Sequence, residues 1–216
     1  MSGLGSWSVS GRSRSPSPAP NTKALFTRRI YVLISGDANG NAEGPPIATT
    51  LTQKTPIMTD TERRIIAAQG YVELGLFAEA RDELSVLPEI LHERTDVIEV
   101  TVLCLMGEHR WEEALAFARR LCVTEPEEPG GFIHAAYCLH EMGRTREAVD
   151  VLVRGPASLQ GKAVFFYNMG CYRARLGEMD AAVEMLQKAF SKDESLRRSA
   201  RRDPDLDALR PRLERI

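Results

Sequence analysis

Apolar residues recur at spacings of three and four along most of the chain, in pairs of stretches of about a dozen residues that break at or near a glycine. Ala80, Ala114, Ala148 and Ala182 stand 34 residues apart and mark the same place in four successive copies of this pattern. Five residues before each comes Gly75, His109, Gly143 or Gly177, and three before comes Phe77, Trp111, Thr145 or Met179. Four residues after stand Leu84, Ala118, Leu152 and Leu186. Small residues, Ala68, Val102, Ala136 and Gly170, lie twelve before, and Tyr71, Leu105, Leu139 and Arg173 lie nine before. Apolar positions at i, i+3, i+4 and i+7 make each stretch an amphipathic helix, so every copy is a helical hairpin. The three glycines suit the left-handed conformation that ends a helix. In the second copy His109 takes the glycine's place, and Gly107 is a substitute two residues earlier. The recurring alanine is small enough to let two helix backbones cross closely.

A fixed period of this length is the signature of a repeat array. The small residues, glycine, aromatic and Glu-Ala pair at these offsets resemble the tetratricopeptide repeat family, of bacterial type, over about residues 61–196. The resemblance implies an all-α, right-handed superhelical array of helix-turn-helix hairpins. Its four units are 61–94, 95–128, 129–162 and 163–196. The third departs from the family pattern at Thr145, where an aromatic is usual, and at Gly155-Pro156, which should stop its second helix early.

The two ends fall outside the period. Residues 1–57 are Gly-, Ser- and Pro-rich around one short apolar run, Ile30 to Ser35, and that composition predicts disorder. The run is too short for a membrane span or a secretory core. Met58-Thr-Asp-Thr-Glu opens the first helix, with Thr59 or Asp60 as its cap. Two expectations stand for what precedes it: a genuine tail, or a spurious extension with Met58 as initiator. Residues 197–216 predict a capping helix, because Asp203 and Pro204 form a helix start and Leu206, Leu209 and Leu213 give an apolar stripe.

Charge narrows the partner. The whole chain is nearly neutral, but residues 58–196 hold 24 acids against 15 Lys or Arg. An acidic array argues against nucleic acid, which needs a basic face. Four cysteines (Cys104, Cys122, Cys138 and Cys171) without a Cys-x-x-Cys pair or a signal peptide read as reduced thiols in a cytoplasmic protein. Cys138 and His134 share a helical face but lack the second ligand pair that zinc requires, so a thiol- or metal-dependent activity there is a minor alternative. Neither a cofactor motif nor an active site is read from the sequence.

By resemblance to the family, the first helix of each unit lines a concave groove. Helical phase places Glu62, Gln69 and Glu73 there from the first unit and Glu99, Leu103 and Met106 from the second. Ile133, Tyr137, His140 and Glu141 come from the third, and Tyr167 and Arg175 from the fourth. Tyr137 and Tyr167 are read as exposed aromatic anchors. The acids among these residues predict a protein partner, an extended or helical peptide with basic and apolar residues. The Lys, Asn and Arg clamp with which some family members grip chaperone tails is absent, since Ile65, Gln69, Val100, Gly130 and His134 occupy those places. The expected function is a protein–protein interaction module without catalysis. The alternative is a chaperone, similar to those of type III secretion, that holds an unfolded client.

Overall fold

The computed structural model describes residues 58–214, so the expectations for residues 1–57 lie outside the described residues. Every regular element among the described residues is helical. The hairpins are α1 (Asp60–Glu73) with α2 (Phe77–Ser85), α3 (Thr95–Gly107) with α4 (Trp111–Thr124), α5 (Pro129–Glu141) with α6 (Thr145–Arg154), and α7 (Ala163–Arg175) with α8 (Met179–Lys192). The short helix α9 (Leu196–Ala200), a 3-10 segment (Pro204–Leu209) and α10 (Arg210–Leu213) follow. The second helices begin at Phe77, Trp111, Thr145 and Met179, and α3, α5 and α7 begin at Thr95, Pro129 and Ala163. Both series step by 34 residues, so the sequence period is also the structural one.

Local chemistry sets these boundaries. Thr59 caps α1 through a reciprocal pair in which the Glu62 N–H donates to Thr59 Oγ1 at 3.2 Å and the Thr59 N–H donates to Glu62 Oε2 at 2.8 Å. Gly75, Gly143 and Gly177 end their helices with φ of 73°, 78° and 82°. His109 itself adopts φ 59°, whereas Gly107 remains the last residue of α3. The small size of Gly107 serves packing instead, because a Cβ there would lie 2.3 Å from the Phe77 ring. Helix α6 ends at Arg154, ahead of Gly155-Pro156, and runs 10 residues against 14 for α4 and α8. Leu159, in the 3-10 turn Ala157–Gly161, is buried in the space beyond it. Helix α2 is shorter still at 9 residues, a truncation the repeat pattern did not reveal.

From α1 to α9 each helix packs on the next, and α1, α3, α5 and α7 also touch in series. Ala80, Ala114, Ala148 and Ala182 are fully buried at the hairpin crossings. The core divides in two. One part joins α1, α2 and α3 around Ile65, Val72, Leu84 and Val97, and the other runs from α3 to the C-terminal segment. Leu103 packs against both.

The C-terminal cap differs from the expected helix. Asp203 accepts a hydrogen bond from the Asp205 N–H at 3.0 Å as predicted, but the segment it starts is 3-10 before it becomes the four-residue α10. Leu206 and Leu209 are completely buried and Leu213 partly so. The segment lies against α7.

Candidate functional site

The residues assigned to the groove separate into two groups. On α1, Glu62, Gln69 and Glu73 are exposed, and with Ile66 they form one stripe at spacings of three and four. Ile66 is 55% exposed, a large apolar side chain in solvent among polar neighbours. On the adjoining α3, Glu99 is exposed and Leu103 half-buried one turn later. The Thr59 backbone and side-chain hydrogen bonds hold the Glu62 carboxyl below the ordinary range. Glu99 is also held low, by the His134 ring whose Nε2 lies 3.8 Å away. Both are therefore anionic at neutral pH. Asp96, at the start of α3, is held low by its paired hydrogen bonds from Arg94 at 3.1 and 2.7 Å.

The second group does not line an open groove. Met106, Ile133, Tyr137, His140 and Tyr167 are all buried. Helix α5 is buried at every position from Ile133 to His140, because α4 and α6 flank it within the chain and α3 and α7 flank it in the series of first helices. Tyr137 lies 2% exposed with its ring edge-on to Trp111, at 6.0 Å between centroids. Tyr167 donates from its hydroxyl to Asp203 Oδ2 at 2.9 Å and is 3% exposed. Neither tyrosine is the exposed anchor expected of it. Helical phase fixes only the angle at which such side chains leave their helices, and around these a neighbouring helix or the C-terminal segment is packed. Of the remaining assigned residues, Glu141 is half-buried and Arg175 exposed.

The Asp203-Pro204-Asp205 turn ties the C-terminal end of the array together. Asp203 is 5% exposed and lies 3.7 Å from the Cys171 thiol as well as against the Tyr167 hydroxyl. Asp205 reaches His140 Nε2 at 3.0 Å and Arg175 Nε at 3.7 Å. The other ring nitrogen of His140, Nδ1, lies 3.1 Å from Thr145 Oγ1, and the ring stacks at 4.5 Å on Tyr172. One turn thus contacts α5 and α7 together. Beside it opens a cleft of about 580 Å³, lined by Arg144, Arg146, Glu147, Arg175, Pro204 and Asp205 among others. The sequence signal for this junction was the Asp-Pro-Asp motif, which read as the start of a capping helix and not as a link to His140 and Arg175.

The same junction contains a group of potential metal ligands. Cys171, Asp203 and Asp205 bring ligand atoms within 4.8 Å of one another. These atoms already have work in the fold, since Asp203 caps the 3-10 segment and accepts the Tyr167 hydroxyl.

The alternative at Cys138 finds the opposite of an activated thiol. Burial pushes Cys138 up to about 12, with Glu141 adding to the effect. Burial likewise raises Cys104 to about 12 and Cys122 to about 11. A reactive thiolate needs a depressed value. All four cysteines are free thiols, and Cys104, Cys138 and Cys171 are buried.

No protein-family model matches the chain, and no curated protein matches it. Among the described residues no helix is long and apolar enough to cross a membrane.

Proposed function

We propose that this protein is an interaction module of the tetratricopeptide type, a superhelical array that acts without catalysis and binds a segment of a partner protein. The observation that carries the proposal is the exposed stripe Glu62–Ile66–Gln69–Glu73 on α1, set beside Glu99 and Leu103 on α3. A stripe of this kind has apolar side chains to anchor a ligand and carboxylates to select its charge. The partner segment is extended or helical, with basic residues facing Glu73 and Glu99 and apolar ones over Ile66 and Leu103. On this reading the binding surface is the N-terminal half of the array rather than all four first helices. The thiol values support action without covalent chemistry, and the chain's properties fit a cytoplasmic protein.

The test is a peptide array that pairs Lys or Arg with apolar residues at helical and extended spacings, probed with the full chain and with its Glu73→Lys, Glu99→Lys variant. The expected result is a set of basic–apolar peptides bound by the first and lost by the second. The same peptides retained by the charge-reversed variant would refute the assignment.

A further inference from the structure

We propose that the face formed by α5 and α7 is a docking surface for an acidic–proline–acidic–leucine turn, occupied in this chain by its own Asp203-Pro204-Asp205-Leu206 and open to the same turn presented by a partner protein. The chemistry of the face is read from the segment that fills it. Both carboxylates are recognised by side chains. Asp203 meets the Tyr167 hydroxyl and the Cys171 thiol, and Asp205 meets His140 and Arg175. These groups come from two helices, with His140 from α5 and the others from α7, so recognition depends on the turn's shape as well as its charge. Pro204 narrows that shape by fixing its own φ, and Asp203 fixes the turn further by capping it. Leu206 then enters the core and is completely buried.

Two features bear on exchange of the occupant. The segment continues from exposed Arg201 and Arg202, and beyond Leu206 its far end is held by completely buried Leu209, by half-buried Leu213 and by the solvent-exposed pair of Arg212 with Asp180. The exposed pair contributes little, so the two buried leucines are what an incoming turn must displace. The cleft beside Asp205 also gives an incoming acid a place to start. Arg175 is 60% exposed and only loosely engaged at 3.7 Å, and Arg146 on the same cleft is exposed. A competing turn can pair with these arginines before the resident turn leaves. This surface is separate from the α1–α3 stripe, so either reading can fail without the other.

The test uses the full chain carrying Asp203→Ala and Leu206→Ala, which loosens the resident turn, and a fluorescein-labelled peptide with the sequence of residues 203–216. The loosened chain is expected to bind the peptide about ten-fold or more tightly than the wild-type chain, whose site is filled. Adding Arg175→Glu should abolish that gain, and a peptide with both of its first two acids changed to asparagine should not bind. Equal binding by loosened and wild-type chains, no binding by a loosened chain with wild-type circular dichroism, or equal binding of the asparagine peptide would each overturn the proposal. Should the loosened chain lose its helical signal, hydrogen exchange on the wild-type chain decides. Excess free peptide should then accelerate exchange in residues 204–209 relative to α7, and unchanged rates would overturn the proposal.

Discussion

Two glycine-to-alanine substitutions, chemically identical, are expected to move stability in opposite directions. Gly70 lies inside α1 and a Cβ there meets nothing within 4 Å. Gly131 lies in the first turn of α5, where a Cβ would sit 2.8 Å from the Cys122 backbone nitrogen and from Leu121 Cβ, and 3.1 Å from the Ala118 carbonyl oxygen. In α1, alanine removes the conformational entropy penalty of glycine and stabilises by about 0.5–1 kcal/mol. In α5 the gain is no larger, while forcing an extra carbon into a packed crossing costs about 1–3 kcal/mol. Two of the three close atoms in that crossing are backbone, so no side chain can rotate away and the cost belongs in the upper part of the range. The balance is about 1–2 kcal/mol of destabilisation. For a domain of this size 1 kcal/mol shifts the melting temperature by about 2–4 °C, so Gly70→Ala should raise it by roughly 1–4 °C and Gly131→Ala should lower it by roughly 2–8 °C. Thermal and urea unfolding followed by far-UV circular dichroism measure both. A Gly131→Ala variant as stable as wild type would refute the close α4–α5 approach. Loss of stability in Gly70→Ala would refute the open surface assigned to that side of α1.

His109, at φ 59°, carries the penalty of a left-handed residue with a Cβ. His109→Gly and His109→Ala both lose the edge contact with Trp111, so the glycine variant should be the more stable of the two by about 1 kcal/mol in urea unfolding, and parity would remove the strain. The thiols predict alkaline behaviour. Burial raises Cys104 and Cys138 from 9.0 to about 12, so the folded state holds their protons more tightly than the unfolded state does. Stability from this source is complete below about pH 9 and falls as pH rises towards 12, by roughly 1 kcal/mol per thiol at pH 10. The Cys104→Ala, Cys138→Ala variant should lose that part of the slope between pH 8 and 10, and an unchanged slope would contradict the burial assigned to the two thiols.

The period was legible because each copy meets the same geometric demand at the same place. A residue such as Ala114 must be small wherever two helices cross, and a residue such as Gly143 must tolerate positive φ wherever the hairpin turns. Demands of this kind are local and repeated, so they leave a mark that a single sequence shows. The cap at Thr59, the Asp203 cap and the early stop at Gly155-Pro156 were legible because they too are local, whereas the reciprocal bond to Glu62 was not read. His109 was less so. Its neighbour Gly107 looked like the turn residue, but what that glycine supplies is room for Phe77, a residue of the preceding hairpin.

The candidate site failed where the local argument runs out. Helical phase fixes the angle at which Tyr137 and Tyr167 leave their helices but says nothing of what stands opposite. For Tyr137 the surroundings include Trp111 of the preceding hairpin, and for Tyr167 they include Asp203, 36 residues away in the chain. The first tyrosine is buried because α5 is interior to a series, a property of having neighbours on both sides. The second is buried because the C-terminal segment fills the place of a following first helix. The stripe on α1 escapes both causes, since no described hairpin precedes it and the C-terminal segment lies at α7. An array that buries its middle and covers its last hairpin leaves the stripe on its first helix exposed, with Ile66 in solvent. Charge reversal at Glu73 is therefore the substitution that best separates binding from folding, because its carboxylate lies outside both cores, whereas Glu99 sits beside the buried His134 ring.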